Sequence, residues 1–498
     1  MPHSNLLLSK SDYLLYLKHP AWLWLKKHDR EMLPRIDDNT QATIEEGRSF
    51  EKLAEQVFDR AVSLDRNDFP NISAWASKTK ELLEKKTETI LQAAFVYENY
   101  LCIADAITAT PNGYILTEIK STTSPDKEHV CDLAFQKVVI EHNGFPIITS
   151  RVLHANSDYI RQHNIVINDF VTFTDVTAKV NKEVLEAKLK MREAVATMNL
   201  AEMPSDSLRY VGLGAAKDWR KIYRTLNPDI PPYSIYDLAS CKGRGTDKLI
   251  GELEDGNVKL IIDIPDSTKL QTHQKEQIRT TRLGEVVVNK PALQDFMSAV
   301  EFPIYFLDYE SVNPVVPAFE NTWPYQQVVF QHSIHIMQED GRITHAEYLH
   351  PTNTNPAPYI IESLEKIIGS KGSIIVWNAT FETGRHKDLA KLYPHKADFL
   401  LGLNERVIDL EIPFSKRMYQ DMRLKGRSSI KNVLPLLCPH LSYKIMNIQE
   451  GGTASRSWRE AIVAQTRSDN AQVLADLRKY CELDTFAMVE IYNVLTNL

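Results

Sequence analysis

Apolar and polar positions along the chain change rhythm twice. In the first stretch, residues 9–28 and 41–63 place apolar side chains at helical spacing, with Ser9 and Ser11 as candidate caps of the opening helix. Two short apolar runs, Leu101 to Ile107 and Tyr114 to Ile119, flank Thr110-Pro111-Asn112-Gly113 and predict a β-hairpin. A helix near 128–142, a strand near 146–154, the segment FVTFTDVT and a long charged helix from about 176 to 198 follow. This mixture predicts an α/β domain over residues 1–200.

Residues 201–299 lose that rhythm. Turn signals at Asn227-Pro228, Pro231-Pro232 and Gly243-Arg244-Gly245 predict a connector with short helices. Its CKGRGTDK lacks the spacing of a phosphate-cradling loop, so no nucleotide-driven motor is expected. From residue 300 the pattern sharpens into strands at 302–308, 328–337 and 373–377 and helices at 381–392, 429–437 and 471–496. A mixed sheet with flanking helices is expected over residues 300–498.

Composition narrows the function classes. A chain of 498 residues, 43% hydrophobic, supplies core for two or three domains. Its net charge of -7 excludes nucleic-acid binding by bulk charge and leaves local basic patches or metal as the means. No apolar stretch approaches the roughly 18 residues that span a bilayer, and the opening segment is too interrupted for a signal peptide, so a cytoplasmic protein without membrane contact is expected. Cys102, Cys131, Cys241, Cys438 and Cys481 are scattered and never in CxxC spacing. That pattern supports neither a disulfide framework nor a zinc ribbon, and no iron–sulfur cluster is expected.

Chemistry concentrates in acids. Asp308 and Glu310, two residues apart at the end of a predicted strand, share a face, and Tyr480 and Asp484 lie one helical turn apart. Convergence of these segments with Glu382 of WNATFE would hold two hard divalent ions, magnesium or manganese, against a phosphodiester. Tyr480 would orient the attacking water, since an ordinary phenol titrates near pH 10. In the first stretch Asp105, followed thirteen residues later by Glu118-Ile119-Lys120, makes a D…ExK pattern. Alternation puts Glu118 and Lys120 on one face, the carboxylates for metal and the ammonium for phosphate or water.

The segments FLDYES, WNATFE and YCELD resemble, in order and spacing, the exonuclease motifs of the DnaQ-like DEDD superfamily, in its tyrosine subclass. The resemblance covers residues 300–498 and implies a ribonuclease H-like fold and two-metal removal of nucleotides from 3′ ends. That family usually has aspartate where Glu382 stands, and Asp388, Asp409 and Glu411 are alternative acids nearby. Residues 1–200 resemble the RecB-type branch of the PD-(D/E)XK nucleases, with a restriction-endonuclease-like fold. That resemblance adds Glu51 to the metal set of Asp105 and Glu118, makes Lys120 catalytic and gives Gln136 a substrate role, although the family's tyrosine four residues on is Ile140 here. The whole chain resembles a poorly characterised bacterial family that fuses the two modules.

A basic segment between the second and third motifs, with Arg423, Lys425, Arg427 and Lys431 around Tyr419, is expected to track a phosphate backbone while the tyrosine stacks a base. Asn378 joins it as a substrate contact. His332, His335, His386 and His395 lack a metalloprotease spacing and are read as structural. The expectation is a metal-dependent nuclease acting on single-stranded or frayed DNA, with RNA as a further substrate class. The competing reading is a catalytically weak or inactive module that binds nucleic acid in a repair or defence assembly.

Overall fold

Pro20 breaks the opening helical stretch. Lacking an N–H, it cannot continue a helix but suits a first turn. Helix α1 (Lys10–Lys18) therefore ends with His19 extended, and a second helix starts at Pro20. Ser9 and Asp12 cap α1 reciprocally, each side chain taking the other's backbone N–H. The computed structural model describes residues 7–239, 245–463 and 467–498. It divides into two units, Met1–Pro232 with Lys242–Lys259, and Tyr233–Cys241 with Leu260–Leu498. The stretch expected as a connector is thus shared between them. Both units are mixed α/β, and no helix among the described residues is long and apolar enough to cross a membrane.

In the first unit, helix α2 (Asp38–Ala54) precedes strands β1 (Thr89–Tyr97), β2 (Tyr100–Thr110) and β3 (Gly113–Lys120), an antiparallel meander. Gly113 closes the predicted hairpin at φ +147°, where a Cβ would stand 2.7 Å from Pro146 O. Helix α3 (Lys127–His142) crosses to β4 (Ile147–Ala155), parallel to β3, and β5 (Val171–Asp175) and helix α4 (Thr177–Met198) follow. A further short strand, Leu8–Ser9, pairs in parallel with Tyr100 and Leu101 and so delivers Lys10 to the sheet. Every residue of α3 from His129 to Ile140 is buried, so its polar Asp132 and Gln136 sit inside the core.

The second unit is built on strands β6 (Ile304–Val312), β7 (Val328–Met337) and β8 (Ile343–Leu349), then helix α5 (Ala357–Ile367), β9 (Ile374–Val376), helix α6 (Ala379–Leu392) and β10 (Val407–Asp409). The sheet order is β8-β7-β6-β9-β10, antiparallel from β8 to β6 and parallel from β6 to β10. Helices α7 (Ile430–Leu437), α8 (Gly451–Val463) and α9 (Arg467–Thr496) complete it. Strand period two sorts β6 between two cores. Ile304, Phe306 and Val312 pack with α8 and α9, whereas Tyr305, Leu307 and Tyr309 pack with α5 and α6. Asp308 and Glu310 share the α9 face. A bulge at Phe330, opposite Glu310 and Ser311, lets Phe330 and Gln331 serve that same face. Phe330 stacks on Trp458 at 4.4 Å, and Gln331 Nε2 donates to Leu477 O at 3.0 Å.

Candidate metal centre and its N-terminal counterpart

Strand β6 and helix α9 bring Asp308, Glu310 and Asp484 together, with one carboxylate oxygen from each within 4.8 Å of the others. Burial raises the pKa of all of them. Asp308 and Glu310 stand well above the usual carboxylate range, pushed further by their acidic neighbours. Asp484 is raised to about 6, its rise moderated by the Tyr443 hydroxyl, Lys431 and the Tyr480 hydroxyl. Two like charges about 4 Å apart repel by about 4 kcal/mol at an effective dielectric near 20. Among the described residues none of these acids is in an ion pair. The Lys431 ammonium is offset from them, 5.7 Å from the ring centroids of Tyr443 and Tyr480, and donates to Gln449 O at 2.7 Å.

Tyr443 Oη donates to Asp484 Oδ1 at 2.6 Å. Burial, then the charge of Asp484, pushes the Tyr443 and Tyr480 phenols far up, so both remain protonated donors at neutral pH. Glu382, in the first turn of α6, lies outside the 4.8 Å triad. It is 1% exposed, and its Oε2 has no hydrogen-bond partner among the described residues. Burial and the nearby Asp308 raise it to about 9. The alternative acids all have partners. Asp409 caps α6 through the N–H groups of Asn378 and Ala379, at 3.0 and 3.1 Å. Asp388 pairs with Arg385 at 2.8 Å, and Glu411 accepts from Ser428 at 2.5 Å. Asn378 precedes α6 in a left-handed conformation, φ +70°. A hard divalent ion suits this oxygen-only donor set and the unpaired Glu382 oxygen.

The first unit gathers its own acids differently. Asp105 on β2 and Glu118 on β3 are joined by Asp132 from α3, and two lysines lie between them. Lys10 Nζ is 3.2 Å from Asp105 Oδ1 and 2.9 Å from Glu118 Oε1. Lys120 Nζ is 2.5 Å from Glu118 Oε1 and 3.4 Å from Asp132 Oδ2. Gln136 Nε2 donates to Glu118 Oε2 at 2.5 Å and to Asp132 Oδ1 at 2.9 Å, and Ile119 N donates to Asp105 Oδ2 at 2.8 Å. Burial works against the Glu118 carboxylate, yet Lys10 and Lys120 hold its pKa below the usual range. Burial and Glu118 raise Asp105 to about 7. Glu51 accepts from Gln92 Nε2 at 2.9 Å, and its charge reaches Asp105.

Residues 305–429 match a family model described as a domain of unknown function, DUF2779. The match takes in Asp308, Glu310 and Glu382 and stops before Asp484. The chain is 26% identical to the uncharacterized protein UU173 of Ureaplasma parvum over 284 residues, 52% of this chain and 40% of the relative. It is 27% identical to the uncharacterized protein MG366 of Mycoplasma genitalium over 214 residues, 39% of this chain and 32% of the relative. The chain spans less than half the length of these curated relatives.

Several expected contacts land elsewhere. Gln136 is fully buried and orients two acids, so it offers nothing to a substrate. Tyr419 is 5% exposed with its ring edge-on to Phe414, which leaves no face for a base. Arg423 pairs with Asp421 at 2.6 Å, and Arg427 lies 3.7 Å from Asp237. Lys425 sits in a left-handed turn, φ +52°. Within the basic segment it is Lys431 that reaches the acid cluster electrostatically. Cys102, Cys131, Cys438 and Cys481 are buried and free, and Cys241 lies outside the described residues. Lys10, Asp132 and Tyr443 were not anticipated. For Asp132 a signal existed, since it stands one helical turn before Gln136.

Proposed function

We propose that the protein is a metal-dependent nuclease, whose working centre is the acid cluster of the second unit and whose action is 3′→5′ exonucleolytic. The observation that carries this reading is the convergence of Asp308, Glu310 and Asp484 within 4.8 Å with no basic side chain in contact among the described residues, beside a Glu382 oxygen that is unpaired among them. These four acids would hold magnesium or manganese, which neutralises charge on the attacking and leaving oxygens of a phosphodiester. Tyr443 fixes the Asp484 carboxylate. Tyr480, a protonated phenol, donates a hydrogen bond and positions water rather than removing its proton. Lys431, exposed above the tyrosine rings, meets the backbone phosphate of the strand being trimmed. The product is a nucleoside 5′-monophosphate. Single-stranded or frayed DNA is the favoured substrate, with RNA as the comparison.

A mixed sheet with helices on both faces supports the ribonuclease H-like, DnaQ-like reading of the second unit. The hairpin that carries Asp105 and Glu118, followed by a crossover helix, supports the PD-(D/E)XK reading of the first. One observation there favours the competing role. Lys10 places an ammonium between Asp105 and Glu118, where a metal would bind, so the first unit grips nucleic acid more readily than it cuts it.

The test is degradation of 5′-labelled single-stranded DNA, duplex DNA and RNA with magnesium or manganese. Wild type is compared with Asp308→Ala, Lys120→Ala and the double variant. A ladder that disappears with Asp308→Ala supports the reading, and residual cutting that responds to Lys120→Ala adds a second site. A wild-type protein that binds but cuts nothing with either metal overturns it in favour of the binding module.

A further inference from the structure

A second cluster lies on the same sheet face, built on two imidazoles and a carboxylate. His335 on β7 and His345 on β8 are direct cross-strand partners, with ring centroids 4.5 Å apart. Glu482 reaches them from α9, and one ligand atom from each residue lies within 4.8 Å of the others. His345 Nδ1 is 3.8 Å from Glu482 Oε1.

A chain of hydroxyl groups ties down one nitrogen of each ring. Thr485 Oγ1 lies 2.8 Å from both His335 Nδ1 and Ser333 Oγ, and reaches the backbone oxygen of Glu482 at 3.1 Å. Ser333 Oγ in turn lies 2.8 Å from His345 Nε2. One nitrogen of each ring is thus held by a hydroxyl, which leaves His335 Nε2 and His345 Nδ1 as the atoms to meet a metal. A metal-binding histidine is commonly held this way, its other nitrogen tied to a fixed acceptor. Glu347, two residues along β8 from His345 and opposite Ser333, pairs with Arg478 through Oε1 at 3.2 Å, and its buried Oε2 has no hydrogen-bond partner among the described residues. The site also opens on a pocket of about 620 Å³ that includes Leu441, Met446 and Phe486.

We propose that His335, His345 and Glu482 bind a zinc ion, at a site separate from the oxygen-only cluster of Asp308, Glu310 and Asp484. Two imidazoles and a carboxylate suit zinc, whereas all-oxygen sites suit magnesium or manganese. Tetrahedral zinc with ligands near 2.0–2.1 Å sets donors about 3.3 Å apart. The half-exposed Glu482 side chain supplies the movement that draws the set inward. Zinc here fastens β7 and β8 to the turn of α9 that presents Asp484. It bridges the sheet edge and the final helix as a clasp, with the pocket side open to a further ligand.

The experiment loads the chelator-stripped full chain with Zn²⁺ in excess Mg²⁺, counts bound zinc by elemental analysis, and records the visible ligand-field bands after Co²⁺ substitution. Wild type is expected to bind one zinc, with a rise in melting temperature. Asp308→Asn with Asp484→Asn is expected to leave that zinc in place, so failure of the nuclease reading would not touch this result. His345→Ala and Glu482→Gln are expected to weaken zinc binding at least tenfold and to change the cobalt spectrum. Glu482 is half-exposed, so that substitution tests the site even if the histidine variant folds poorly. Zinc that survives both substitutions, or a wild type that takes none, overturns the proposal.

Discussion

Both units bring acids from distant segments to one point, but they balance the charge in different ways. In the first, the ammonium groups of Lys10 and Lys120 sit among Asp105, Glu118 and Asp132. In the second, no basic side chain touches Asp308, Glu310 or Asp484 among the described residues, and the pKa values of all of them rise. Two ammonium groups among three acids compensate most of the charge of the first cluster, and the raised carboxyls of Asp105 and Asp132 carry the remainder. An uncompensated cluster lowers its free energy by taking up protons or a metal ion. The same residue types in similar convergence therefore predict opposite responses to metal, pH and charge removal.

Catalysis provides the sharpest contrast. Asp484→Asn is expected to slow single-turnover trimming of labelled DNA on the order of 10²–10³-fold, whereas Lys120→Ala leaves the mononucleotide ladder intact. A ladder lost with Lys120→Ala instead would break the comparison. Next in size is Lys10→Met, which strips a cation from buried acids and is expected to cost the first unit about 3–5 kcal/mol. Hydrogen exchange over β2 and β3 reads that loss, and added Mg²⁺ should recover part of it.

The opposite sign is expected in the second unit. Asp308→Asn removes repulsion and should stabilise the metal-free protein by about 1–2 kcal/mol, with Mg²⁺ then stabilising the variant less than wild type. Thermal unfolding with and without chelator measures both. pH adds a smaller distinction. Carboxyls raised by folding hold protons that the unfolded chain has released. Without metal, the second unit should lose stability as pH rises from the unfolded value of 3.8 through about 6 for Asp484, and from 4.5 toward about 9 for Glu382. In the first unit Glu118 is lowered while Asp105 is raised, so their contributions oppose. Exchange protection of β6 that grew with pH in chelator would contradict this. The smallest effect belongs to Lys431→Ala, expected to reduce the salt slope of DNA binding by about one and to raise KM with little change in kcat.

Local signals made much of the second unit legible. Period-two runs located β6 and β7, and the acids on β6 were correctly placed on one face. The same pattern missed β8, whose ITHAEYL lacks a period-two apolar run and is mostly half-buried or exposed, although Asp340-Gly341 just before it is a hairpin signal. It also ran one helix through His19-Pro20, where proline should have divided it. Lys10 was beyond local reasoning, since it meets Glu118 across 108 residues and arrives through a short parallel pairing. Tyr443 sits in a weakly patterned stretch, and only the three-dimensional path brings it to Asp484. Tyr419 shows the reverse error, in which a basic neighbourhood suggested exposure for a side chain that belongs to the core.

The bulge at Phe330 sets the phase of everything on that face. With Phe330 seated on Trp458 and Gln331 tied to α9, β7 holds β6 in the one alignment that turns Asp308 and Glu310 toward Asp484. A shift of one residue would turn both acids toward α5 and α6. Over evolutionary time these strands should therefore tolerate substitution far better than a change in length. A single insertion or deletion between Ile304 and Asp308 erases the centre in one step, and a two-residue change keeps its parity.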